Sequence, residues 1–551
     1  MHSPRCVRIM NMKVLAVCGF FSVIITTYLT LKYTAVQHAP VSKDLPLQHL
    51  DQMKGPGSLE MHIKPFRPKP TLTKCENQQV LDTRPLLSVP RIAKYCNIPN
   101  SSPPGDEGMV PKDLKLMGAH VVIRHGDRAP LIHLPGDKAP PLSCLVDARQ
   151  FHHLPKLQNY EHVMAQAAQI EDDVTSEFSR WAMYPSRSEC GEGQLTGQGA
   201  MQQVLNGLHL HQRYAEPPHN LRLDHSTVAV HSTVVSRTYQ SALAFLYGLL
   251  PQFDRKQIKI QSTPTLMFCD SKAAPGSVCL CPGLETLRNR AVASCRSEGA
   301  AAHSLATYEA TTTKTLAQVF GVSSAALPSP EGVMDGLSRY ACHSIPPPCI
   351  TLTNSSSGSR CTTTTCIDAK TMEGVWAPVD AQSRCMSKNS NFLKYSAVST
   401  HGLLLRIAQG LHRIMLGNIS TNNDVSQNPL FVLYSGHDNT LTPLITALGL
   451  KEAVWPGYAT RLVFELYKRA STPDVRAQHF VRILLNGKPV TSETVFCHSG
   501  SVLSGRDDLC EFERFYSHIV SMNVQEFCLS LRSSRAQNLR RKRAQKKTKK
   551  L

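Results

Sequence analysis

An apolar run that ends directly in a cluster of charged residues constrains this chain more than any other feature. Ala119–Ile123 predicts a buried strand, and Arg124–Pro130 (Arg-His-Gly-Asp-Arg-Ala-Pro) follows it at once. Each guanidinium group can bind two oxygens of a phosphate, and an uncharged imidazole between them can attack phosphorus. Asp127 is expected to point away from a phosphate, towards an arginine or the sugar of a substrate. The pattern predicts a phosphate-cleaving site, and the alternative is a basic surface turn.

Two further apolar runs also end in polar residues. Thr227–His231 leads to Arg237 in the first turn of a predicted helix, and Leu430–Tyr434 leads to His437 and Asp438. Taken alone, each cluster has an ordinary explanation as a solvated charge or a hydrogen-bonded loop. However, strands that alternate with helices predict an α/β sheet, and such sheets bind ligands at the carboxyl ends of their strands. We therefore expect the three clusters to meet at one edge.

The other periodic segments complete a predicted α/β domain over residues 96–530. They predict three helices and two strands, namely Leu195–Tyr214 with Thr196 as its N-cap, Val235–Leu250, a helix with Pro443 in its first turn, Arg461–Lys468 and Phe480–Leu485. Residues 296–390 are rich in Ser, Thr, Ala and Cys, and we expect an irregular region held together by disulfides.

The N-terminal segment predicts where this domain is located. Val14–Leu31 contains no charged residue and spans roughly 27 Å as a helix, which is close to the thickness of a thin bilayer's hydrocarbon core. Basic residues precede it and predict that residues 1–13 are cytoplasmic. We interpret residues 14–31 as a transmembrane signal anchor rather than a cleaved signal peptide. Residues 32–95 are rich in proline and lysine and are interpreted as a lumenal stem.

Cysteine usage agrees with a lumenal domain. Of the 18 cysteines, 16 lie beyond the predicted anchor, an even number suited to disulfides in an oxidising compartment. The Cys-x-Cys and Cys-x4-Cys spacings lack the paired pattern of a zinc site. Asn100, Asn354 and Asn418 head glycosylation sequons that would be modified in the lumen.

The net charge of +19 leaves a non-enzymatic alternative open. About half of it comes from ten lysines and arginines in the last 20 residues, so residues 531–551 are predicted to be a disordered polybasic tail. Such a tail could capture glycosaminoglycan, which would make the chain a lumenal binding protein. A membrane anchor argues against a nucleic-acid partner.

The two main motifs resemble those of the histidine acid phosphatase family, Arg-His-Gly-x-Arg-x-Pro and a distant His-Asp. The resemblance implies an α/β mixed-sheet core with helices on both faces and an inserted, mainly helical cap largely within residues 131–220. It assigns His125 as nucleophile and Asp438 as proton donor. It also implies a set of phosphate ligands, namely Arg124, Arg128, Arg237 and His437. No cofactor or metal is expected, because the arginines supply the positive charge. An acidic optimum follows, because Asp438 must be protonated before it can act.

Several segments narrow this resemblance. They are similar to Golgi members of the family, single-pass type II membrane enzymes that remove a 2-O-phosphate from xylose in the glycosaminoglycan–protein linker of proteoglycans. These segments are Tyr95–Pro99, Phe268-Cys269, Cys279–Pro282, Tyr434–Asp438 and Arg461–Leu466. The resemblance implies a phosphorylated glycan or glycopeptide substrate and partners among glycosaminoglycans or glycosyltransferases. The enzymatic alternatives are a broad-specificity acid phosphatase and an inositol polyphosphate phosphatase of the secretory pathway.

Overall fold

A computed structural model describes most of the chain beyond the predicted stem. The described residues are 73–74, 82, 84–99, 105–110, 112–147, 154–169, 177–268, 281, 283–356, 359–417, 429–451, 454–469, 478–497, 508–522, 524 and 526–528. All of them lie in the compact unit Pro70–Leu551. The predicted anchor and tail, most of the stem, Asn100 and Asn418 lie outside these residues, and of Asn354 only the backbone is described. None of the described helices is long and apolar enough to cross a bilayer.

The strands form two sheets. They are β1 (Thr73–Lys74), β2 (Leu114–Arg124), β3 (Val228–Thr233), β4 (Ile260–Thr263), β5 (Cys349–Ser356), β6 (Ser359–Cys366), β7 (Phe431–Gly436), β8 (Arg461–Arg469), β9 (His479–Leu485), β10 (Lys488–Pro489) and β11 (Cys510–Glu511). The large sheet has the order β10-β9-β8-β2-β7-β3-β4, and β11 pairs with β9. Within it β2, β7, β3 and β4 run parallel, while β8 is antiparallel to both of its neighbours, β2 and β9. This confirms the predicted mixed α/β sheet.

Helices cover both faces of the large sheet. They are α1 (Pro90–Cys96), α2 (Pro155–Gln158), α3 (Tyr160–Ala167), α4 (Gly197–Tyr214), α5 (Ser236–Leu249), α6 (Leu284–Ser297), α7 (Gly299–Thr307), α8 (Thr313–Phe320), α9 (Pro330–Cys342), α10 (Ala369–Met386), α11 (Ser390–Met415), α12 (Asp438–Ala447) and α13 (Phe512–Val520). Consecutive strand residues point to opposite faces. Val121 and Ile123 therefore pack with α4 and α5, and Val122 packs with α11, α12 and α13. Burial on both sides explains the unbroken apolar run.

The structure differs from the sequence prediction between residues 296 and 390. This region is mainly helical, with α7 to α10 and the β5–β6 hairpin in place of irregular chain. The many small and hydroxyl residues weakened the apolar helical periodicity in the sequence. Even so, Val333, Leu337 and Tyr340 lie on one face of α9 and pack into a third core. Residues from α1 join the same core, so the folded domain begins before residue 96.

Disulfides join several parts of the domain, as the cysteine count predicted, and one of them lies in this third core. The six disulfides among the described residues are Cys96–Cys342, Cys144–Cys190, Cys281–Cys528, Cys295–Cys385, Cys349–Cys366 and Cys497–Cys510. The first of them joins the end of α9 to α1. One smaller prediction also needs correction: α12 begins directly at Asp438, so Pro443 lies in its second turn rather than its first.

Candidate active site

The carboxyl ends of β2, β7 and β3 lie side by side. Arg124, the last residue of β2, pairs with Gly436 at the end of β7, and Ser435 pairs with Ser232 near the end of β3. This register brings together the six residues that the sequence assigned to the site: Arg124, His125, Arg128, Arg237, His437 and Asp438. The expected convergence of three strand ends is therefore observed.

His125 lies at the centre of this cluster with its tautomer fixed. Its Nδ1 is 2.8 Å from the Gly126 carbonyl oxygen. A carbonyl can only accept, so Nδ1 carries the proton and Nε2 keeps a free lone pair. Burial and the nearby Arg237 and Arg124 guanidinium groups hold the pKa of His125 well below its ordinary value. The ring is therefore neutral even in mild acid.

The loop after His125 packs tightly against the start of α4. A Cβ on Gly126 would overlap the Gly199 carbonyl oxygen, so only glycine fits there. The Gly126 N–H donates to the Ser241 hydroxyl at 3.1 Å. Thr196, the predicted N-cap of α4, accepts from the Gly199 N–H at 3.1 Å, and its own hydroxyl donates to the Asp127 carboxylate at 2.6 Å. These contacts fix the backbone that presents His125.

Arg124 is fully buried and held on several sides. Its Nη1 donates to the Pro456 carbonyl oxygen at 2.6 Å, and its Nη2 lies 3.0 Å from Oδ2 of Asp438. The guanidinium carbon also lies 4.4 Å from the ring centroid of Tyr458. A cation fixed in this way is preorganised for an anion and loses little freedom when one binds.

Arg128 and Arg237 add two further cations. Nη1 of Arg128 donates to the Ala129 carbonyl oxygen at 3.0 Å, and Nη2 lies 2.7 Å from Oδ1 of Asp335. Nη2 of Arg237 donates to Nδ1 of His437 at 3.4 Å. Burial and the charge of Arg128 lower the pKa of Arg237 to about 10, so it remains charged at neutral pH. Three cations thus share one buried edge, which suits a multiply charged anion.

His437 is neutral and presents a defined face. Because Nδ1 accepts from Arg237, Nε2 carries the proton and donates to the Thr233 hydroxyl at 2.8 Å. Burial and the Arg237 charge lower the pKa of His437 to about 3. Its ring centroid is 5.5 Å from that of His125. His437 therefore links the ends of β3 and β7 beside the nucleophile candidate.

Asp438 is bound through both carboxylate oxygens. Oδ1 accepts from the Asn439 N–H at 2.7 Å, and Oδ2 accepts from Nε1 of Trp455 at 3.2 Å, close to Arg124. Burial by itself would raise the pKa of Asp438, but Arg124 and Arg128 outweigh it and the pKa is lowered. With no anion bound, the carboxylate is ionised.

Comparison with known families shows which superfamily contains this site. The sequence profile of the histidine phosphatase superfamily (branch 2) matches residues 115–322 and 387–486, which contain all six residues above. The chain belongs to this superfamily. The resemblance stated from the two motifs is confirmed.

Individual histidine phosphatases are similar to this chain over most of its length. It is 32% identical to "2-phosphoxylose phosphatase 1" of Danio rerio, over 77% of this chain and 82% of the relative. It is 31% identical to the Homo sapiens protein of the same name, over 73% and 77% respectively. Among solved structures, a Bifidobacterium longum multiple inositol polyphosphate phosphatase shares 14% identity with a TM-score of 0.45, covering 77% of this chain and 97% of that one.

Residues 323–386 lie between the two matched ranges, yet they contact the site. Asp335 of α9 accepts from the N–H groups of Leu131 and Ile132 at 2.6 and 3.0 Å, in addition to its contact with Arg128. His343, which follows α9, lies with its Nε2 2.8 Å from Oδ2 of Asp127. The histidine phosphatase core is thus covered by a helix that its family profile does not include.

Sequence reasoning missed these covering residues. Asp127 was expected to orient an arginine or to reach a sugar, but its carboxylate binds Thr196 and His343 instead. Asp335, His343 and Trp455 stand in no recognised motif, and the periodicity of α9 was the one signal that could have directed attention to the first two.

Proposed function

We propose that this histidine phosphatase removes the 2-O-phosphate from xylose in the glycosaminoglycan–protein linker during proteoglycan synthesis, through a phosphohistidine intermediate. The chain is a phosphoric monoester hydrolase by family. The observation that best supports the chemistry is the free Nε2 of His125 beside two buried arginines, Arg124 and Arg128, and the partly buried Arg237. The substrate is inferred from the 31–33% identity to proteins named 2-phosphoxylose phosphatase 1, over about three quarters of the chain.

The first step transfers the phosphoryl group to His125. Arg124, Arg128 and Arg237 bind the non-bridging oxygens and stabilise the charge that develops on them. His437 is the fourth ligand that the resemblance implies. In the free protein its Nδ1 accepts from Arg237 and its Nε2 donates to Thr233, so it must move its proton or turn its ring before it can donate to the phosphate. Nε2 of His125 attacks phosphorus, an N–P bond forms, and the P–O bond to the sugar breaks. The Asp438 carboxyl donates its proton to the departing alcohol oxygen, which leaves as a hydroxyl group.

The second step releases inorganic phosphate. Asp438, now a carboxylate, accepts a proton from a water molecule as that water attacks phosphorus. The N–P bond breaks, and the electron pair returns to Nε2 of His125. Phosphate leaves, and both Asp438 and His125 regain their starting states. The cycle balances without a cofactor.

The protonation state of Asp438 explains why this chemistry favours acid. In the free protein, Arg124 and Arg128 lower its pKa. A bound phosphate dianion offsets those same charges, so the pKa rises when substrate enters. His125 stays neutral because its own pKa is already depressed. We therefore expect activity to fall as pH rises through neutrality.

The location in the cell is part of the proposal. An anchor at residues 14–31, a catalytic domain in the Golgi lumen and sequons at Asn100, Asn354 and Asn418 would place the site among nascent proteoglycans. The disulfides are in keeping with an oxidising compartment. Fluorescence microscopy of the tagged full chain, with protease protection of each end, tests this topology.

A substrate panel tests the function. The full chain in detergent is assayed with a phosphoxylosyl linker peptide, an aryl phosphate and inositol hexakisphosphate. We expect all hydrolysis to depend on His125 and the linker peptide to have the highest kcat/KM. His162→Ala, an exposed histidine bonded to Gln166, is the matched control for His125→Ala. A preference for the aryl or inositol phosphate would support one of the alternatives, and equal rates for wild type and His125→Ala would overturn the proposal.

A further inference from the structure

We propose that Trp455 is a positioning residue for Asp438, because its indole N–H holds the carboxylate in place and sets the pH range in which that group carries a proton. This inference rests on the proposed role of Asp438 as proton donor. Trp455 itself need not touch the phosphate. It acts through Asp438, and its effect should therefore appear in the pH profile rather than in phosphate binding.

The contact is direct and specific. Nε1 of Trp455 lies 3.2 Å from Oδ2 of Asp438, the oxygen that also faces Arg124 at 3.0 Å. The other oxygen accepts from the Asn439 N–H. An indole N–H can only donate, so it stabilises the ionised carboxylate and opposes protonation at Oδ2.

Two arginines fix the backbone that carries the indole. The Trp455 carbonyl oxygen accepts from Nη2 of Arg91 at 3.1 Å, and the next carbonyl, that of Pro456, accepts from Nη1 of Arg124 at 2.6 Å. Arg91 is in turn bound by both oxygens of Asp380, at 2.6 and 2.8 Å. Asp380 belongs to α10, which the family profile does not match. A chain of contacts thus runs from the inserted region to the proton donor.

Other charged groups also lower the pKa of Asp438, but a bound phosphate reduces their effect. The charged and titratable groups that face it are Arg124 from β2, Arg128 from the loop, Arg237 from α5 and His437 beside it. In the proposed mechanism the three arginines bind the phosphate, whose negative charge offsets theirs, while His437 is neutral. The indole N–H carries no net charge and is bonded to the carboxylate itself. Its influence should therefore persist in the enzyme–substrate complex.

Trp455→Phe removes this N–H and keeps an aromatic ring in place. We expect the alkaline limb of the pH dependence of kcat for an aryl phosphate, which reports the enzyme–substrate complex, to move up by about one pH unit, since the ionised carboxylate loses a hydrogen bond. Titration of the substrate is the same for both proteins and cancels in the comparison. Trp181→Phe is the matched control, because Trp181 packs beside Phe178 in a different core, and its profile should follow wild type.

Asp380→Asn tests the chain of contacts that supports Trp455. Weakening the Arg91 contact should loosen the backbone at Trp455, so we expect a smaller shift in the same direction. If both variants act through one hydrogen bond, the double variant should match Trp455→Phe alone rather than show the sum. If the double variant instead shows the sum of the two shifts, Asp380 does not act through the hydrogen bond of Trp455.

Asp438→Asn separates this inference from the proposed function. If Asp438→Asn hydrolyses the linker peptide slowly and Trp455→Phe leaves the alkaline limb in place, or lowers the rate equally at every pH, the role of Trp455 is overturned and the function stands. If Asp438→Asn keeps the wild-type rate at every pH, the proton donor is assigned wrongly and the role of Trp455 falls with it. A shifted limb in Trp455→Phe alone supports the inference.

Discussion

The pKa of histidine is shifted in opposite directions at the carboxyl edge of the large sheet and beside the helix that covers this edge. At the edge, burial and neighbouring arginines lower the pKa of His125 and His437. On the covering side, burial also opposes a charge on His343, but the Asp127 carboxylate outweighs it and the pKa is raised. The residue type is the same in both regions, and the charge of the neighbours decides its state.

The difference shows how one site can work in acid. In the proposed mechanism His125 remains a neutral nucleophile as the pH falls, because burial and the neighbouring arginines hold its pKa well below the ordinary value. Over the same range His343 gains a proton and binds Asp127 as an ion pair. Mild acid therefore strengthens the contact between the cover and the loop without disabling His125. The following variants test each side of this comparison.

Loss of a cation from the edge should have the largest effect. Arg124→Ala removes a preorganised donor to the phosphate and also removes the arginine that forms an ion pair with the buried Asp438 carboxylate. We expect kcat/KM to fall by about 10³-fold, the upper range for loss of one such donor. Arg288→Ala, an exposed arginine paired with Glu285 on α6, serves as the control and should retain full activity. A loss below tenfold would mean that the edge does not depend on this cation.

The sheet should also make the fold sensitive to acid. His120 on β2 is buried, with Nδ1 3.3 Å from the Tyr434 hydroxyl, and burial lowers its pKa to about 3. A histidine with a depressed folded pKa contributes stability above its unfolded pKa of about 6.5, and that stability is lost as pH falls. Between pH 7 and pH 5 we expect this residue to cost about 2 kcal/mol of unfolding free energy.

Denaturant unfolding of wild type and His120→Phe at pH 7 and pH 5 measures the unfolding free energy that His120 costs in acid. The variant should lose about 2 kcal/mol less than wild type over the interval. The same loss in both proteins would show that His120 is not the group that titrates.

Loss of the contact between His343 and Asp127 should have the smallest effect. Its dependence on pH should be opposite to that of His120, because this contact stabilises the protein in acid. His343→Gln keeps a neutral donor near Asp127 but removes the ion pair. Because the folded pKa of His343 is raised, the pair is present in acid and is lost as pH rises through that pKa. We expect a roughly threefold drop in kcat/KM at pH 5 that disappears at alkaline pH, consistent with a partly buried ion pair. A deficit that grows with pH would contradict this assignment.

The same contrast explains what the sequence could predict. The strands β2, β3 and β7 each contain an apolar run and are parallel neighbours, so their carboxyl ends meet at one edge. Arg124, Arg237 and His437 could therefore be placed together without coordinates. The edge could be inferred because its geometry follows from the sheet.

The contacts between α9 and the loop after β2 could not be predicted from the topology of the sheet. Asp335 and His343 reach the loop only because α9 packs on α1 and is joined to it by the Cys96–Cys342 disulfide. Long-range packing of this kind leaves no local pattern in the sequence. The apolar face of α9 was visible in principle, but surrounding Ser, Thr and Ala residues weakened the signal. The position of Trp455 depends on a turn with no periodicity at all.

The most direct test of the account is to trap the phosphorylated enzyme and find which atom carries the phosphate. Asp438→Asn is mixed with an aryl phosphate, whose good leaving group needs little protonation, and the reaction is quenched in base. Peptide mass spectrometry identifies the phosphorylated residue, and phosphorus NMR distinguishes phosphate on Nε2 from phosphate on Nδ1. Because hydrolysis of the intermediate is slowed, we predict close to one phosphate per chain, on Nε2 of His125. Release of the aryl alcohol with phosphate on another residue, or with none on the protein, would contradict the account.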